Sequence, residues 1–100
     1  MKPYIKEYFK FFGYTEADQP ICECCGTLAN AVHHIHPRQR GGTDSLDIIE
    51  NLMALCALCH LNYGDKKHYK SWLYKKHEDH LLQTGKPYKM EWIERQIKKW

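Results

Sequence analysis

One hundred residues at 11.9 kDa make a single domain whose core alone gives limited stability, and a structural metal is a usual remedy at this size. The formal net charge is only +3, but Lys and Arg outnumber Asp and Glu ten to five over residues 65–100 and are outnumbered five to seven over residues 1–64. That asymmetry suits a polyanionic partner for the C-terminal third. No window approaches the roughly 18 apolar residues of a membrane span, and residues 1–7 lack the apolar stretch of a secretory leader. No membrane partner is expected, and the cytoplasm is the expected compartment.

In chain order, residues 3–12 predict a short amphipathic helix with Tyr4, Phe9 and Phe12 as its apolar stripe and Gly13 ending it. The stripe is read as packing for a small core. Residues 15–20 form a polar linker. Residues 27–36 predict a strand with Val32, His34 and His36 on one face and His33 and Ile35 on the other, and Pro37 ends regular pairing. A loop follows, then a brief helical turn over 46–50 and a second strand, Leu52–Leu55, returning antiparallel. From Ala57 the pattern is helical through Tyr63 and is interrupted by Gly64-Asp65. Residues 66–84 predict a longer helix with Tyr69, Trp72, Leu73, His77 and Leu81 inward and Gly85 capping it. After Lys86-Pro87 comes a last helix, in which Met90, Ile93, Ile97 and Trp100 recur at spacings of three, four and three.

Five cysteines fall as two Cys-x-x-Cys pairs, Cys22/Cys25 and Cys56/Cys59, with Cys24 to spare. Each pair sets two thiolates on one tight turn, and two such turns together give the tetrahedral sulfur set that zinc prefers. Gly26 suits the first turn, because a chain bending back over a metal needs a residue free to take positive φ. Structural Zn2+ in a reducing compartment, not a disulfide framework, is the expected use of these thiols. Between the pairs lie His33, His34, His36, Arg38, Arg40, Gly41-Gly42 and Asn51-Leu52, and His60 directly follows the last cysteine. A zinc knuckle alone would not need that internal set.

Taken in order, Cys22-Glu23-Cys24-Cys25, His33-His34-Ile35-His36-Pro37, Gly41-Gly42, Asn51-Leu52 and Cys56-Ala57-Leu58-Cys59-His60 resemble the HNH nuclease family. The resemblance implies an α+β fold: a ββα-metal core stapled by a four-cysteine zinc site, with accessory helices at both termini. It implies one nuclease domain over 1–100, divided into an N-terminal accessory helix and linker (1–20), the core (21–65) and basic C-terminal helices (66–100). By the same resemblance His34 is the general base, His33 and His60 hold the catalytic cation, and Asn51 orients the strand that carries the base. Small proteins of this family often belong to phages, mobile elements or defence systems, so such a setting is expected on resemblance alone.

Hydrolysing a phosphodiester needs an activated water, neutralised charge on the non-bridging oxygens and help for the leaving 3′ oxygen. A histidine serves as base because its ordinary pKa lies near neutrality, and a divalent cation supplies the other two. Neighbouring His33 and His34 on a strand point to opposite sides, so one can hold metal while the other faces water. Two imidazoles and no carboxylate favour Mn2+, Co2+, Ni2+ or Zn2+ over Mg2+, although Mg2+ or Mn2+ is the expected working ion. Arg38, Arg40, Lys66 and Lys67 are candidate phosphate contacts, as is His36, which otherwise faces solvent. None of them reads bases. The expected function is a metal-dependent DNA endonuclease; the competing reading is a zinc-stapled nucleic-acid-binding module that never cuts. Oligomeric state is open, a dimer being one way to cut both strands.

Overall fold

A two-stranded antiparallel hairpin, β1 (Ala31–His34) and β2 (Leu52–Leu55), carries the chemistry-bearing residues, with Ala31 opposite Leu55 and His34 opposite Leu52. The computed structural model describes residues 1–38 and 44–100. β2 reads Leu-Met-Ala-Leu and all four residues are buried, because α1 (Pro3–Phe12) covers the hairpin and the C-terminal helices close the core from the other side. The fold is a small α+β arrangement, as the sequence pattern implies. Among the described residues no helix is long and apolar enough to cross a membrane.

β1 is shorter than the 27–36 expected. At its start, Leu28 bridges back to Ile21 across the first cysteine turn, and Asn30 spends its side-chain oxygen on the Ala57 amide at 2.8 Å. At its end, the side chain of Asn51 takes both the N–H and the C=O of His36. Those backbone groups are therefore unavailable to a ladder. The turn expected over 46–50 is two short 3-10 turns, Asp44–Leu46 and Ile49–Asn51.

Helix α1 ends at Gly13, whose φ of 75° is open to glycine. Its buried residue is Tyr8, not Phe9. Tyr4, Tyr8 and Phe12 are the true i, i+4, i+8 series, and Phe9 turns sideways onto Tyr14. After β2, helix α2 (Ala57–Cys59) does not continue as a regular helix through Tyr63. It widens into a π-turn over His60–Gly64.

Helix α3 (Lys70–Thr84) begins after a 3-10 turn at Lys67–Tyr69, later than residue 66. Its buried stripe is Lys70, Leu73, Tyr74, His77 and Leu81. Trp72, expected inward, is 38% exposed; it stands off that stripe and lies against Tyr63 and Tyr69. Helix α4 (Met90–Lys99) buries Ile93, while Met90, at its first residue, is exposed. Trp92 packs edge-on to Tyr74 in the α3–α4 seam, and the Ser71 hydroxyl donates to the Ile97 carbonyl at 2.8 Å.

One buried charge pair locks this assembly. His77 on α3 places Nδ1 2.8 Å from the Glu23 carboxylate and Nε2 2.6 Å from the Ile49 carbonyl. Both ring nitrogens face acceptors, so the ring carries both protons. Burial alone would push its pKa down; Glu23 beside it and the two hydrogen bonds hold it above the ordinary value instead. The other Glu23 oxygen accepts from Tyr8 at 2.5 Å. Burial first, and then the Glu23 charge, raise that phenol's pKa, so it stays a donor. Glu23 lies between Cys22 and Cys24, so α1, α3 and the first cysteine turn meet at a single carboxylate.

Candidate metal centre and active site

The sulfur cluster forms from two turns whose backbones are bent toward it. In the first, Gly26 takes φ 80° and donates its N–H to the Cys22 carbonyl at 2.9 Å, while Cys22 donates to Thr27 at 2.6 Å. In the second, the Cys59 amide points at the Cys56 sulfur at 3.4 Å. The sulfurs of Cys22, Cys25, Cys56 and Cys59 all lie within 4.8 Å of one another, and Cys25 and Cys56 are 3.6 Å apart. A zinc ion with Zn–S bonds of about 2.3 Å holds its sulfurs about 3.8 Å apart, whereas a disulfide would need about 2.05 Å. All five cysteines are free thiols.

Charge supports the same conclusion. The Thr27 hydroxyl and amide lower the Cys25 thiol to about 6, and the Cys59 amide lowers Cys56. Burial raises Cys59. Four crowded sulfurs cannot all ionise without a cation among them, and the donor set fits zinc. Cys24 stays outside the group, with its thiol pushed up to about 12 by burial and by neighbouring Cys22.

A second donor group sits where β1 meets the π-turn. His33, His60 and Asp65 each bring one ligand atom to within 4.8 Å of the others. His33 is buried, its ring 4.7 Å from that of His60 and its Nε2 2.8 Å from the Gly64 carbonyl. Burial, above all, lowers the His33 pKa, which favours the neutral ring a metal requires. His60 and Asp65 are five apart, a spacing that an α-helix turns away from one face. A π-turn needs more residues per turn, and it brings His60 Nε2 and Asp65 Oδ2 to 3.5 Å. Gly64 has to be glycine here, since a Cβ would stand 2.5 Å from the His60 ring. The expectation of two imidazoles without a carboxylate is therefore corrected: Asp65 supplies one. The mixed set fits a divalent cation, and its carboxylate widens the choice toward Mn2+ and Mg2+.

His34 is not part of that group. It leaves the opposite face of β1, where Nε2 lies 2.7 Å from Asp47 Oδ1 and the Tyr4 ring is 4.5 Å away. Arg38 grips the same carboxylate, with Nε 2.8 Å from Oδ1 and Nη2 on Oδ2, and so, more than any other neighbour, holds the Asp47 pKa down. Asn51 is fully buried and satisfied by His36, the Leu46 carbonyl and the Tyr74 hydroxyl, spanning the loop that joins β1 to β2. His36 lies apart from both histidine groups, its ring beside Trp100 and Lys70. Lys66 and Lys67 are exposed just beyond Asp65. Arg40 and Gly41-Gly42 fall outside the described residues. Asp65 and Asp47 carry no motif signal in the sequence, apart from the helix break at Gly64-Asp65.

A β-hairpin leading into a short helix, with a closed sulfur cluster on one side and an open histidine–carboxylate group on the other, is the architecture of a ββα-metal domain. Residues 22–66, 45 of the 100, match the family model described as HNH endonuclease. No curated protein and no solved structure matches the chain. The segment's function is accordingly nuclease or nucleic-acid-binding, with metal sites to match.

Proposed function

We propose that this chain is a metal-dependent endonuclease that hydrolyses phosphodiester bonds in DNA. The observation that supports the reading most is the gathering of His33, His60 and Asp65, with neighbouring His34 held separately by a carboxylate. A binding module has no use for either arrangement. In this reading His34 donates Nε2–H to Asp47, which leaves Nδ1 as the lone pair that takes a proton from water. Arg38 keeps Asp47 ionised, and Asn51 fixes the chain on either side of the loop, so the imidazole is held in one orientation. A divalent cation held by His33, His60 and Asp65 supplies charge neutralisation and leaving-group assistance when bound. The four cysteines hold structural zinc. The reading requires the scissile diester to lie across the end of β1, where His34 is the last residue. Residues 21–65 then form the nuclease core, with 1–20 and 66–100 as its supports, in a reducing compartment that keeps the thiols free.

The test is cleavage of supercoiled plasmid by wild type and His34→Ala with Mg2+, Mn2+, Ni2+ or EDTA, with zinc content measured on both proteins. Metal-dependent nicking by wild type and none by the zinc-loaded variant is the expected result. Two zinc-loaded proteins that bind DNA and cut with no ion would establish the non-catalytic module instead.

A further inference from the structure

In the corner around Trp100, Lys67 and His36, both candidate phosphate contacts, meet two lysines that carry no role so far. The ammonium groups of Lys70, Lys99 and Lys67 lie 4.2, 5.0 and 5.9 Å from its indole ring, and the His36 ring lies 5.4 Å from it. Lys70 is only 9% exposed, and its Nζ reaches His36 Nδ1 at 3.4 Å. Among the described residues no carboxylate forms an ion pair with any of the three lysines. Lysines on a merely solvated face spread apart or pair with acids. Here three converge on one aromatic wall, from the turn before α3, from α3 itself and from α4. Their crowding has a cost: burial first, then the charges of Lys67 and Lys99, lower the Lys70 pKa. An indole face offsets only part of this. The missing partner is an anion.

Its position says which anion. Lys67 is two residues beyond Asp65, and His36 is two residues beyond His34, so both chains leaving the candidate active site run into this corner. We propose that the Lys67–Lys70–Lys99 corner against Trp100 is a phosphate-binding subsite, which takes a backbone phosphodiester of the nucleic acid beside the one that is cut. Its placement rests on the nuclease reading; the anion chemistry does not.

The experiment measures duplex binding by zinc-loaded protein in the His34→Ala background, without added divalent ion, over a series of salt concentrations. Lys67 and Lys99 are exposed, so K67Q/K99Q removes two charges with little risk to folding, which a thermal melt checks. K98Q removes a charge from the same helix away from Trp100. The dependence of log Kd on log salt is expected to flatten by about 0.9 for the double variant, the value of one phosphate contact, and hardly at all for K98Q. Carried into the active protein, K99Q alone is expected to raise KM for polynucleotide while leaving hydrolysis of bis(p-nitrophenyl) phosphate unchanged, because that diester is too small to reach the corner. An unmoved salt slope, a change no greater than that of K98Q, or equal loss on both substrates would overturn the subsite. If wild type cuts neither substrate but the slope flattens as expected, the subsite stands and the nuclease reading falls. If wild type cuts and the slope stays put, the reverse holds.

Discussion

The sulfur cage and the histidine site are built from the same helix entrance yet have opposite characters. Cys56 and Cys59 serve the first, and His60, the next residue, serves the second. Three of the four cysteines are buried and backbone amides turn toward the sulfurs, whereas His60 and Asp65 have side chains 40% and 74% exposed. A closed four-sulfur set leaves a metal no vacant position, and an open set with three protein donors does. The cage thus fixes where helix α2 begins, and that in turn fixes where His60 stands. Rigidity and access are divided between adjacent residues.

The comparison breaks most completely if the cage is opened. Cys59→Ser is expected to abolish cooperative unfolding, because a structural zinc contributes about 10–16 kcal/mol in small zinc-folded peptides, against a total of about 5–15 for a domain. Circular dichroism melts alongside zinc content would show it. Next in size is the pair behind the cage: His77→Ala takes from buried Glu23 its nearest cationic partner, leaving it Tyr8 and, at 3.5 Å, His80, and should cost up to about 3–5 kcal/mol in urea unfolding. The same pair sets a pH dependence. His77 has a raised folded pKa, so its contribution is complete below the unfolded value of about 6.5 and is lost as pH rises through the folded one. Wild-type melting temperature should therefore fall as pH is raised from neutrality, and His77→Gln should flatten that fall.

The open site is expected to break alone. Gly64→Ala drives a Cβ into the His60 ring, and the second metal should bind about 10–100-fold more weakly, the scale seen when a ligand loses its support. Titration calorimetry with Mn2+ would read this while zinc stays at its wild-type content. A loss of zinc as well would show that the two regions are not separable. Smallest is Cys24→Ser, which touches neither ligand set and should change stability by less than about 1 kcal/mol with zinc retained.

What the sequence made legible follows from how local each signal is. The paired cysteines, the apolar run Leu52–Leu55 and the positive φ at Gly26 are set within a few residues, and the structure has them as the pattern implies. Asp65 was hidden because its distance from His60 is right only if the helix widens, and nothing in residues 60–64 announces a π-turn. Asp47 meets His34 from outside either strand, where no period links the two. The Glu23–His77 pair joins residues 54 apart, one of them inside a cysteine turn, and no periodicity links them. Tyr8 escapes the sequence pattern for a simpler reason. Two aromatic residues stand side by side at 8 and 9, and the helical phase alone decides between them.

The π-turn also means that the site holds slack. A regular helix brings residue i+4 over residue i, and the widened turn achieves the same with residue i+5. Deleting the exposed Asn62 would set the histidine and aspartate four apart, so the shortened segment can close as an ordinary helix with both donors still facing each other. An insertion has no such refuge. Tolerance to a change in chain length is thus lopsided at the point where the ligands are held: the gene can lose a codon there more safely than it can gain one.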